Sequence, residues 1–134
     1  MTRRVAIVFG VADLLTAAVV TLGIFFGLPA RWAVVDVAAG VLVALKIASG
    51  VSLMVRARRA PAVAIAAAAV ALALGLGLVT SLALTASWLS GVYGPVGRGG
   101  ALLMTLVAAL TLPYLVVLPA VQLFWLLPGP KGGA

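Results

Sequence analysis

Residues 5–55, VAIVFGVADLLTAAVVTLGIFFGLPARWAVVDVAAGVLVALKIASGVSLMV, decide how this chain is read. Two apolar runs, roughly 5–28 and 32–55, flank a tight turn at Pro29-Ala30. Each exceeds the ~20 apolar residues a helix needs to cross ~30 Å of hydrocarbon. Neither alternates apolar and polar residues with period two, as a membrane strand would, so both are expected to be helices. One charge interrupts each run at the same depth: Asp13 lies 16 residues before Pro29, and Lys46 lies 16 after Ala30. At ~1.5 Å per residue both sit ~24 Å from the turn. A lone charge at the centre of a membrane helix costs at least ~2.5–3.5 kcal/mol, so the two are expected to face each other or a wet cavity. An interhelical ion pair that sets the hairpin's register is favoured over a proton or cation relay through Asp13. A permanent lysine neighbour favours the charged carboxylate and makes it a poor proton carrier.

Outward from this hairpin, two more apolar runs fill the chain, roughly 61–89 and 101–127. Pro61 is tolerated in a helix's first turn, and Pro128-Gly129-Pro130 ends the last run. Between the two runs, Gly91–Gly100 (GVYGPVGRGG) is rich in turn residues and is expected to be a connection. Its glycines lack the Gly-Lys-Ser/Thr ending of a phosphate cradle. The expected architecture is an all-α membrane protein, a bundle of four transmembrane helices in two hairpins, with residues 1–134 as one integral membrane domain.

Composition agrees. Only 8% of the 134 residues are charged and 66% are hydrophobic, with a mean hydropathy of +1.36. A soluble domain covers itself with about 25% charged residues. The net charge of +7 resembles a nucleic-acid signal only until the charges are located. Arg3, Arg4, Arg56, Arg58, Arg59 and Lys131 lie at one side of the expected membrane, Arg31 and Arg98 at the other. No basic stripe with interleaved aromatic residues exists, so no nucleic-acid partner is expected. Six against two is a positive-inside bias, predicting a multi-pass protein of the cell membrane with both termini cytoplasmic. Phe25, Phe26, Trp32, Trp88, Tyr93, Phe124 and Trp125 cluster near span ends, as interfacial belts do.

Packing signals are of the small-residue kind. Gly40, Ala44, Ala48 and Ser52 form a ridge along the second span that is expected to be buried against a helix, within the chain or from another subunit. Lys46 projects elsewhere, since residues 44 and 46 are ~200° apart. Gly23 and Gly27 form a GxxxG, and Gly75 and Gly77 lie in the third span. Pro113 and Pro119 predict a kink in the fourth span by freeing the carbonyls of Ala109 and Leu115. Tyr114 falls near mid-membrane, where Gly75 would make room for its ring and Thr80, Ser81 or Thr85 would receive its hydroxyl. Asp36 lies near the far interface, within reach of Arg31 or Arg98.

The chemical inventory is short. With no histidine, cysteine or glutamate and only two aspartates, the chain has no expected metal site, cofactor or catalytic set. In layout it resembles small multidrug-resistance transporters. Those carry a membrane-embedded glutamate in their first span, whereas this chain has none and pairs its aspartate with a lysine. The favoured expectation is a non-enzymatic packing or accessory subunit, a homo-oligomer or the companion of a larger membrane protein. The rival is a small oligomeric transporter or channel with Asp13, Lys46 and Tyr114 along its path.

Overall fold

The computed structural model describes residues 1–128, and all regular structure among them is helical. Helix α1 (Arg3–Thr21) runs on through a π-helical turn at Leu22–Phe26. Then follow α2 (Ala33–Val55), α3 (Ala60–Val92) and α4 (Gly94–Leu112), which passes through a second π turn at Pro113–Val117 into α5 (Leu118–Leu126). Counting the π turns, the chain makes four spans long and apolar enough to cross a membrane: Arg3–Phe26, Ala33–Val55, Ala60–Val92 and Gly94–Leu126. Lys131 and the Gly129-Pro130 part of the expected terminator lie outside the described residues.

Local chemistry sets the ends. The Thr2 hydroxyl accepts from the Val5 amide at 3.4 Å and caps α1. Helix α2 stops at Arg56, held in the left-handed conformation (φ 58°), where the Ala57 amide donates back to the Ser52 carbonyl at 2.9 Å. At the Pro29 turn Arg31 pairs with Asp36 at 3.5 Å and lies over the Phe25 ring.

The Gly91–Gly100 segment is not the loop its composition suggests. Helix α3 continues to Val92, and α4 starts at Gly94, whose φ of 55° makes the reversal. The whole connection is Tyr93, its ring edge-on to Trp88 at 5.6 Å. Buried Gly97 lets α4 start directly against Leu89 of α3, which is why so glycine-rich a stretch stays helical.

Two hairpins of unequal length result, the first built from spans of 24 and 23 residues and the second from two of 33. That is about 35 Å against about 50 Å. At the end carrying Arg3 and Arg56, here the basic end, α1 reaches furthest, since its Phe9 is level with the first residue of α3, Ala60, and the last of α5, Leu126. From the level shared by Val20, Ala39 and Ala71, the first hairpin has six residues to run to Phe26 or Ala33 and α3 has 21 to Val92, so the second hairpin projects beyond the first at the far end. Helix α3 offers its neighbours a nearly all-alanine face, Ala60, Ala64, Ala67, Ala68 and Ala71, followed by Gly75. Alanine has the highest helix propensity and lets neighbouring backbones approach closely.

The core has three layers. Near the basic end Phe9, Leu53, Ala60 and Ala64 cluster with Val5 and Leu126. Further along, Val20, Ala39, Leu42, Ala71 and Leu115 form a second cluster. Between them on α1, α2 and α5 lie Asp13, Lys46, Ser49 and Gln122, four residues with no apolar role to play.

Candidate functional site

One helical turn beyond Phe9 is Asp13; one turn from Leu53 is Ser49; one turn from Leu126 is Gln122. Two turns further, seven residues on, come Val20, Leu42 and Leu115. The three helices keep the same step, so their polar residues meet at one level. Lys46 joins Ser49 on the same face of α2, three residues away.

All four side chains are fully buried. The Lys46 ammonium donates to Asp13 Oδ1 at 2.6 Å and to Gln122 Oε1 at 3.1 Å. Gln122 Nε2 donates to the same Asp13 oxygen at 2.7 Å, and Ser49 Oγ donates to Asp13 Oδ2 at 2.5 Å. The amide orientation of Gln122 is the one in which both its contacts run donor to acceptor. Among the described residues no buried side-chain nitrogen or oxygen is left without a partner. Charges of −1 and +1 cancel inside the cluster, and charge-assisted hydrogen bonds offset the loss of water. Position for position, α3 contributes only Ala67 and Ala68 at this depth, both fully buried.

The structure thus brings Asp13 and Lys46 together and adds two residues that sequence reasoning missed. Ser49 was readable as a face-mate of Lys46. Gln122 is the only carboxamide of the chain, but its distance from the end of its span misleads. It lies four residues from Leu126, about 6 Å, whereas Asp13 lies ten from Arg3, about 15 Å. Helix α5 ends at the level of Phe9, six residues inside the start of α1.

The other singled-out residues do not join this site. The Gly40-Ala44-Ala48-Ser52 ridge points away from the bundle: Ala44 and Ala48 are exposed, and a Cβ at Gly40 would meet nothing within 4 Å. Burial of the ridge inside the chain is therefore overturned, because α2 turns its Ala39, Leu42, Lys46, Ser49, Gly50 and Leu53 side inward. The close crossing of α1 and α2 is at Gly10 and Gly50, where a Cβ on Gly50 would lie 2.8 Å from the Gly10 carbonyl oxygen. The Gly23–Gly27 pair packs no second helix; a Cβ at Gly23 has open space.

In the fourth span Pro113 opens the π turn, and the Leu118 amide reaches back five residues to the Pro113 carbonyl. Pro119 is buried one turn before Gln122. Gly75 makes room for the backbone of Leu115, not for the Tyr114 ring: a Cβ there would run into the Leu115 carbonyl. Tyr114 is half-buried against the second apolar cluster, about two turns from Gln122. Ser81 and Thr85 donate within α3, to the Gly77 and Ser81 carbonyls, both at 2.8 Å.

Two apolar grooves run along the outside of the first hairpin. One, of about 620 Å³, follows α2 from Ala44 to Ala57. The other, of about 490 Å³, follows α1 between Leu14 and Leu22, with Ile47 between them. Neither is lined by Asp13, Lys46, Ser49 or Gln122. Chemically the cluster is a fully buried polar key in which every side-chain nitrogen and oxygen has a partner. Compared with known proteins, the chain matches no family model, no curated protein and no solved structure.

Proposed function

We propose that the chain is a multi-pass protein of the cell membrane with both termini cytoplasmic. It acts without catalysis, as a packing or accessory subunit of a homo- or hetero-oligomeric assembly. The observation that carries this reading is the closure of the polar cluster. A carrier or channel needs its titrating group in contact with water or cargo, whereas Asp13 is fully buried and occupied by three donors. Such a cluster locks α1, α2 and α5 in register and leaves the outer faces for contacts with other molecules.

The faces suited to a partner helix lie toward the far end. Gly23 and Gly40 both have open space beside them. The projecting part of the α3–α4 hairpin exposes Leu84, Trp88, Leu102, Leu103 and Leu106. Orientation follows from charge: among the described residues five arginines sit at the basic end, against Arg31 and Arg98 at the other.

Purification from native membranes followed by mass spectrometry tests the reading. Recovery of a stoichiometric membrane partner, lost in Gly40→Leu while monomer stability holds, supports it. A proton or cation flux in proteoliposomes that Asp13→Asn abolishes would replace it with the transport reading.

A further inference from the structure

The groove along α2 has a polarity that the bundle itself does not explain. It is shallow and open, lined along one face of α2 by Ala44, Ile47, Ala48, Val51, Ser52 and Val55, and it reaches Ala57 at the basic end. From Ala44 to Val55 is eleven residues, about 17 Å, close to the ~15 Å of hydrocarbon in one leaflet. Ala57 sits between Arg56 and Arg58, with Arg59 next, and all three arginines are exposed. The chain has only two acidic side chains, and both are committed elsewhere, Asp13 to Lys46 and Asp36 to Arg31. No carboxylate side chain of this molecule is left to balance three like charges within four residues.

We infer that this groove holds an acyl chain of an anionic phospholipid, with its phosphate among Arg56, Arg58 and Arg59. The inference rests on the membrane-spanning reading above and names what covers the basic half of α2. Guanidinium groups suit phosphate, because their planar fork donates two parallel hydrogen bonds. A basic cluster at the cytoplasmic end of a helix pair draws anionic lipid in general. Here a shallow apolar face of α2, of leaflet length, starts at that cluster. A second copy in the same orientation is a poorer occupant, since it would set its own arginine cluster against this one. An acidic helix of a partner protein is the remaining competitor.

Native mass spectrometry of the full chain tests the inference, with dioleoyl phosphatidylglycerol and dioleoyl phosphatidylcholine supplied at equal concentration. The expected result is one retained phosphatidylglycerol, preferred at least tenfold over phosphatidylcholine. Ala48→Phe fills the groove without touching an arginine, and Ala44→Phe does so at a second position in case the first variant misfolds. Either should lower retention about tenfold, as should the combined Arg56→Gln, Arg58→Gln and Arg59→Gln variant. Arg98→Gln, at the far end, should leave it unchanged. Equal retention of the two lipids overturns the inference. So does retention that survives both phenylalanine variants, which would mean arginines attracting headgroups without a seat for the chain. A partner protein from native membranes that displaces the lipid and cross-links to the groove overturns it in favour of the acidic helix. Failure of the membrane-spanning reading looks different: alkali would then extract the chain from membranes whatever their lipid.

Discussion

Asp13 accepts from Lys46, Ser49 and Gln122 at once, so its neighbours cannot be removed independently. Lys46→Leu leaves a buried carboxylate without its counter-charge and should cost about 3–5 kcal/mol; Asp13→Leu should cost a similar amount. The Asp13→Leu, Lys46→Leu double variant should be clearly more stable than the sum of the singles predicts, measured as unfolding in mixed detergent. Strict additivity would mean that the pair is not coupled. Recovery in the double variant stays incomplete, because the Gln122 amide then loses both partners. Adding Gln122→Leu should return about 1 kcal/mol more, the scale of an unmade hydrogen bond in a helix bundle. Gln122→Glu makes the opposite case. It sets a second carboxylate beside Asp13, where the amide now donates at 2.7 Å, and should destabilise the fold more than Gln122→Leu does.

At the scale of elements, glycines that resemble one another in sequence separate into two kinds. Gly50 lies against the Gly10 backbone and the Leu14 side chain, and Gly75 against the Leu115 carbonyl at the π turn. Even a methyl group must move a helix at either place, so Gly50→Ala and Gly75→Ala should each cost about 1–3 kcal/mol. Gly40→Ala meets open space and should leave the monomer as stable as before or improve it by about 0.5–1 kcal/mol through helix entropy. Thermal unfolding of the three variants in one detergent checks the contrast, and equal losses would refute the packing described. The π turn belongs to the same account. Pro113 cannot donate, the backbone widens there, and α5 carries Gln122 inward one turn past Pro119.

For the whole molecule the decisive quantity is orientation. A reporter fused after Lys131 should behave as cytoplasmic, and one placed at the Tyr93–Gly94 reversal as external. Gly97 is an unsuitable insertion point, because it is buried against Leu89. An external C-terminus would contradict the four-span topology. The unequal hairpins matter at this scale too. About 50 Å of the second hairpin exceeds ~30 Å of hydrocarbon, so in a bilayer it tilts or projects, and the first hairpin covers only part of its length.

Four apolar spans were legible in the sequence because span length and hydropathy are local properties. The depth match of Asp13 and Lys46 was legible for a related reason, since two helices joined by a short turn measure depth from a common point. The inward face of α2 was not legible. Gly40, Ala44, Ala48 and Ser52 make as good a small-residue ridge as any, and only packing chose the Ala39–Lys46–Ser49–Leu53 side instead. The Gly91–Gly100 stretch misled because glycine favours turns in isolation, whereas Gly97 against Leu89 rewards a helix. Gln122 was hidden for the same kind of reason. Sequence reports distance along a helix, but the level at which α5 enters the bundle depends on three other helices. Length and apolarity, being additive along the chain, were determined by the sequence alone. The choice of faces and the closing of the polar cluster are pairwise between helices, and the tertiary structure decided them.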